Sequence, residues 1–131
     1  MNTPAKLPLT LLNYDEIDSD HLEFLELVTQ LMASPDTEFP TLFNRLLEHT
    51  EEHFDRENKL MDSYQYPAIG EHRGEHHRVL GEYRQFKTRV DRGLVPFGRA
   101  FIKDRLLPWF ELHITTMDSA LVVHIKKKDS A

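Results

Sequence analysis

The sequence predicts an all-α protein, an up-down-up-down antiparallel four-helix bundle with an extended N-terminal arm. Three observations carry that expectation. Apolar residues recur at helical spacing in four long segments. The connections between them are short and hold breakers such as Ser34-Pro35-Asp36 and Tyr66-Pro67, which favours antiparallel neighbours. No segment alternates apolar and polar residues as a half-buried strand would. At 131 residues the chain suits one core, and 40% hydrophobic content argues for a globular fold over disorder.

Residues 1–16 read as the arm, which Leu9, Leu12 and Tyr14 could lay across the bundle. Residues 17–127 form the bundle and 128–131 a tail. The first helix is predicted over 19–32, capped by Asp18 or Ser19, with Phe24, Leu25, Val28, Leu31 and Met32 as its apolar stripe. The second is predicted over 40–63, Pro40 suiting its first turn. On its inner face lie Leu42, Leu46, His49, His53, Glu57 and Leu60. The third is predicted over 68–92, with Ile69, His72, His76, Leu80, Tyr83 and Val90 inward and Gly93 as its stop. The fourth begins near Pro96 and continues toward Ile125. Its inner residues are Phe101, Ile102, Leu106, Trp109, Phe110, His113, Met117 and Leu121, and Pro108 predicts a kink or a restart.

Composition removes several functions. With no cysteine there is no disulfide, thiolate chemistry, zinc finger or cysteine-held cluster. A net charge of -6 argues against nucleic acid as a partner. Lys126, Lys127 and Lys128 form the one basic run, which reads as a solvated helix end. The N-terminus resembles neither a signal peptide nor an anchor, and no window approaches the roughly 18 apolar residues of a spanning helix. No membrane association and a cytoplasmic location are expected.

One ordered pattern stands out: His21, then His53-x3-Glu57, His72-x3-His76 and His113-x4-Asp118. Residues four apart on a helix are separated by roughly 40° and about 6 Å, so His53 and Glu57 point together, as do His72 and His76. His113 and Asp118 are five apart, roughly 140° on an ideal helix. They can meet at one site only through reaching side chains or a locally widened turn. Each motif alone is weak: with eight histidines in the chain, about half a His-x3-His pair is expected by chance, and His49-x3-His53 is a second example. The combination is informative. Every helix contributes, all on predicted inner faces. A lone histidine on an apolar face is usually a bonded core residue, but buried Glu57 and Asp118 would each be costly without positive charge. Two metal ions would supply it, with histidine nitrogens for both and two carboxylates to bridge them.

The order and spacing resemble the hemerythrin family of oxygen-binding non-haem di-iron proteins. The resemblance extends to His53-Phe54 with Glu57, Met61, Tyr66-Pro67, His72 and His76, and to Trp109-Phe110-x2-His113-Ile114-x3-Asp118, covering about residues 14–125. It implies two iron ions bridged by an oxo or hydroxo group. His72, His76 and His113 would hold one, His21 and His53 the other, and Glu57 and Asp118 would span both. The iron with two histidines keeps an open position for dioxygen, the expected ligand. Phe24, Trp109, Phe110 and Ile114 would line the pocket above it, although ordinary core packing also explains such aromatics. Phe24 and Phe110 stand where the family commonly has smaller aliphatic residues. Asp20 stands where it often has Gln, and Tyr14 where Trp is frequent. His49, one turn before His53, is a candidate hydrogen-bond partner or extra ligand; a packed or solvated histidine is the commoner fate. His77 and His124 are expected at the rim.

The function this implies is reversible oxygen binding for carriage, storage or delivery, not enzymatic turnover. The alternatives are a di-iron peroxidase or iron oxidase, or a sensor acting through a separate protein partner that the sequence does not identify. No Glu-x2-His pair of the ferritin-like oxidases occurs, and no His-Glu-x2-His zinc motif. Iron over manganese is not decided by ligand type.

Overall fold

The computed structural model describes residues 10–130; Leu9 of the expected arm lies outside them. Helix α1 spans Asp15–Ala33, α2 Phe39–Ser63 and α3 Ile69–Asp91. A fourth helical rod covers residues 95–129. No strand occurs among the described residues. Contacts across the molecule show the antiparallel order. Arg99, near the start of the last helix, bonds Asp36 just past the end of α1, while Lys126 near its end bonds the Leu12 carbonyl before α1. Between α2 and α3, Asn44 meets Asp91 and Asn58 meets His76.

The first helix starts four residues earlier than its sequence suggests. Asp18 does not cap it from outside. Its carboxylate sits inside the first turn and accepts the backbone N–H groups of Leu12 (2.8 Å) and Tyr14 (3.2 Å). Asp15 and Glu16 add favourable negative charge at that end. Helix α3 stops where Gly93 takes φ +89°. The Gly93 N–H bonds the Val90 carbonyl and the Leu94 N–H bonds the Arg89 carbonyl, a Schellman ending. Helix α2 ends in the same bond pattern, with Gln65 at φ +51°.

Pro108 does not interrupt the last helix. Backbone angles stay helical at Leu106 and Leu107, and the adjustment falls one turn earlier. Residues Ile102–Leu106 form a π-turn, closed by the Leu107 N–H on the Ile102 carbonyl, five residues back. Pro108 cannot donate a bond to residue 104, and the widened turn before it accommodates that loss. A second π-turn covers Ile114–Asp118, and the helix then runs on to Asp129, past the expected end.

The apolar interior divides in two. A large cluster around Phe39, Phe43, Tyr83 and Phe101 fills one end. A smaller one, with Ile17, Met61, Leu121, Val122 and Ile125, fills the other. The polar residues singled out in the sequence lie between them, one turn inward from Ile17, Met61, Ile69 and Leu121. Met32, Leu42, Leu60, Ile69, Trp109 and Met117, expected inward, are half-buried.

Candidate metal centre

All seven residues of the ordered pattern converge in the middle of the bundle. His21, His53, Glu57, His72, His76, His113 and Asp118 are each at most 4% exposed. They arrive from all four helices. The His53-x3-Glu57 and His72-x3-His76 spacings place each pair on one α-helical face. The five-residue spacing of His113 and Asp118 meets the site through a widened turn. The Ser119 N–H bonds the Ile114 carbonyl five residues back, so residues five apart align there as residues four apart do elsewhere. His113 Nε2 thus comes 3.0 Å from Asp118 Oδ1.

The two carboxylates divide the site. Glu57 Oε1 lies 2.5 Å from His72 Nε2 and 3.3 Å from His76 Nε2. Asp118 Oδ1 lies 3.1 Å from His72 Nε2 and 3.0 Å from His113 Nε2. The other oxygens face the opposite way. Glu57 Oε2 is 3.3 Å from His53 Nε2, and Asp118 Oδ2 is 3.0 Å from His21 Nε2. Each carboxylate therefore turns one oxygen toward the group of His72, His76 and His113 and the other toward the pair of His21 and His53. Both carboxylates belong to two groups, one with His72, His76 and His113 and one with His21 and His53, in each of which the ligand atoms lie within 4.8 Å of one another.

Hydrogen bonding does not account for this packing. His21 Nε2, Glu57 Oε2 and both Asp118 oxygens are buried without a hydrogen-bond partner, although nitrogen and oxygen approach closely. His76 Nε2 and His113 Nε2 face each other at 3.3 Å. Donor atoms converge on shared points, as ligands around a cation do. The electrostatics agree. Burial pushes Glu57 up, but the adjacent imidazoles of His113, His72 and His76 hold it well below the usual carboxylate range. Burial pushes His113 down, yet Asp118 and Glu57 raise it to about 9. His72 is also raised, whereas burial lowers His76. Metal binding requires neutral histidines, so it would be coupled to proton release.

Several residues behind the ligands escaped the sequence reading. Asp20 Oδ2 lies 3.0 Å from His53 Nδ1 and also accepts from Arg56 Nε at 2.9 Å; Arg56 Nη2 donates to Oδ1 at 2.6 Å. Burial pushes the Asp20 carboxyl up, but its bonds from His53 and Arg56 outweigh this and hold it below the ordinary range. Asn58 Oδ1 is 3.1 Å from His76 Nδ1. A signal for Asp20 was present: it is an acid on the apolar stripe between Ile17 and Phe24. Asn58 left none, as a polar residue beside Glu57 reads as surface.

His49 is buried but stands away from the centre. Its Nε2 meets the Asp20 backbone carbonyl at 3.2 Å, and its ring is parallel to His53 at 6.5 Å. His49 also forms a close group with Asp20 and Glu23. That group is a poor cation site, since Arg56 and His53 already occupy the Asp20 carboxylate.

The aromatic residues split between the halves. Phe110 meets His21 edge-on at 5.3 Å and stacks on Phe24 at 4.2 Å. Ile114 is buried in the same apolar cluster. Trp109 lies toward the three-histidine half. It stacks on His113 at 4.4 Å, and its indole Nε1 donates to Glu75 at 2.7 Å. Phe54 stacks on His76 at 3.9 Å. His77 is exposed and His124 half-buried at the far end, its Nε2 2.8 Å from the Tyr64 carbonyl.

Residues 12–130 match the family model described as Hemerythrin HHE cation binding domain. The chain belongs to that hemerythrin family. A protein named Bacteriohemerythrin from Ralstonia nicotianae is 28% identical over 111 residues, covering 85% of this chain and 80% of the relative. One of the same name from Aquifex aeolicus is 28% identical over 109 residues, covering 79% of this chain and 82% of the relative. No solved structure gives a significant match. A hemerythrin domain implies a metal-binding site, and the buried histidine and carboxylate cluster, with its unpartnered atoms, could hold a metal ion.

Proposed function

We propose that this hemerythrin domain binds dioxygen reversibly at a non-haem di-iron centre, for carriage, storage or delivery. His72, His76 and His113 hold one iron, and His21 and His53 hold the other. Glu57 and Asp118 bridge the two. The observation that carries this reading is that each carboxylate turns one oxygen toward the group of His72, His76 and His113 and the other toward the pair of His21 and His53. Imidazole and carboxylate both suit iron. When bound, the iron pair supplies the electrons and the open coordination position that dioxygen needs. Two histidines against three leave that position in the His21 and His53 half.

The chain's own residues make that half suited to holding a small neutral ligand. Phe110 abuts His21, and Phe24 covers Phe110. Together with Ile114 they would exclude water and ions from that half of the site. Trp109 and Phe54 instead brace the rings of His113 and His76. Five nitrogens against two carboxylates favour holding dioxygen over activating it, so we assign a binding role and not an enzymatic one. No helix among the described residues is long and apolar enough to cross a membrane.

Anaerobic loading with Fe(II), followed by elemental analysis, should give close to two irons per chain. An oxygen electrode should then register about one dioxygen taken up per iron pair and returned on degassing. Uptake that ends in released peroxide or water would replace this function with the redox-enzyme reading.

A further inference from the structure

Each ligand-type histidine turns Nε2 inward and leaves Nδ1 for an outer partner. The Nδ1 atoms of His21, His72 and His113 have none. One histidine in each half is anchored from behind, but by different chemistry. In the three-histidine half, His76 Nδ1 meets the neutral amide oxygen of Asn58. In the two-histidine half, His53 Nδ1 meets the carboxylate of Asp20.

Asp20 is itself held rigidly. The Arg56 fork takes both carboxylate oxygens, and His49 Nε2 lies at hydrogen-bond distance from the Asp20 backbone carbonyl. Asp20 sits on α1, while His49, His53 and Arg56 follow one another along α2. The unit therefore ties the two helices that supply His21 and His53. A side-chain exposure of 38% at Arg56 brings it to the surface.

We propose that Asp20, clamped by Arg56, is a positioning residue that gives the two-histidine half its metal affinity. The inference rests on the di-iron reading above. A carboxylate accepting the Nδ1–H fixes the ring's tautomer and direction, and it strengthens Nε2 as a donor. This half has one histidine fewer, so a stronger donor matters most there. Arg56 prevents Asp20 from rotating toward solvent. An amide, as at Asn58, orients its histidine without adding charge.

Stepwise titration of the apoprotein with Co(II), against a competing chelator, tests this. The wild type should take two ions in two steps. Asp20→Ala should weaken the weaker step about 10–100-fold and leave the stronger step nearly unchanged. Asp20→Asn keeps the shape and an acceptor oxygen, so it should recover part of the loss. It also guards against Asp20→Ala failing to fold. Arg56→Ala should give a smaller loss in the same step. In the Co(II)-loaded protein, the paramagnetically shifted His53 Nδ1–H should exchange with water faster in Asp20→Ala than in Asp20→Asn. A role confined to joining α1 and α2 would weaken both steps equally, or lower the melting temperature alone. Either result overturns the proposal. A wild type that fails to take two ions overturns the di-iron reading first, before any variant is made.

Discussion

His113 Nε2 lies 3.0 Å from Asp118 Oδ1, although the two residues are five apart on one continuous helix. The π-turn Ile114–Asp118 makes this possible by adding one residue to a turn without rotating the rest of the helix. Deleting Thr116, which is exposed, should therefore restore an α-turn with Asp118 still facing the site and Leu121 and Ile125 still in the core. Metal content near the wild-type value and a melting temperature within a few degrees are expected. Inserting an alanine after Thr116 should rotate everything downstream by roughly 100° and remove Asp118 from the centre. If the deletion loses metal as completely as the insertion, the widened turn has a role beyond spacing.

The shared and unshared ligands should behave differently. Glu57 reaches both halves, so Glu57→Gln should lower occupancy of both irons. His21 reaches only Asp118 on one side, so His21→Ala should leave close to one iron per chain. His76→Ala should fall well below two. Elemental analysis of purified, iron-loaded variants separates these cases, and full retention of iron by His76→Ala would remove it from the ligand set.

Metal removal should destabilise the bundle. Glu57 and Asp118 are each 1% exposed and would lose their countercharge. A metal present at about 1,000 times its dissociation constant stabilises the folded state by about 4 kcal/mol. Thermal melting of apo and loaded protein measures this, and equal melting temperatures would contradict the burial of those acids around a cation.

Packing away from the centre supplies an independent test of the fold. A Cβ on Gly98 would stand 2.5 Å from Val90 Cγ2 and 2.7 Å from Phe39 Cε1. Gly98→Ala should therefore cost about 1–3 kcal/mol through overpacking, despite alanine's better helix propensity. Chemical denaturation should show the loss without any change in iron content.

The four helices and the seven converging residues were legible because each depends on periodicity, and periodicity survives in a single sequence. The widened turn at His113 was legible only as a requirement. Its residues, Ile114-Thr115-Thr116-Met117-Asp118, carry no distinctive composition. Pro108 suggested a break at its own position, whereas the helix absorbs it one turn earlier, at Ile102–Leu106. Asp18 resembled a cap but bonds backward from inside the first turn. Asp20, Arg56 and Asn58 were hidden for a different reason. Their roles depend on which helices adjoin and how side chains cross between them, and spacing along one helix does not encode that. Trp109 illustrates the same limit: its motif places it near the centre, but only the packing puts it on His113.

The most direct measurement is the visible absorption spectrum of the reduced, iron-loaded protein before oxygen, under oxygen, and after oxygen is removed. Reversible binding predicts a band that appears with oxygen and disappears without it, over repeated cycles. A permanent change to a ferric spectrum on first exposure would contradict it and show that the centre consumes its ligand.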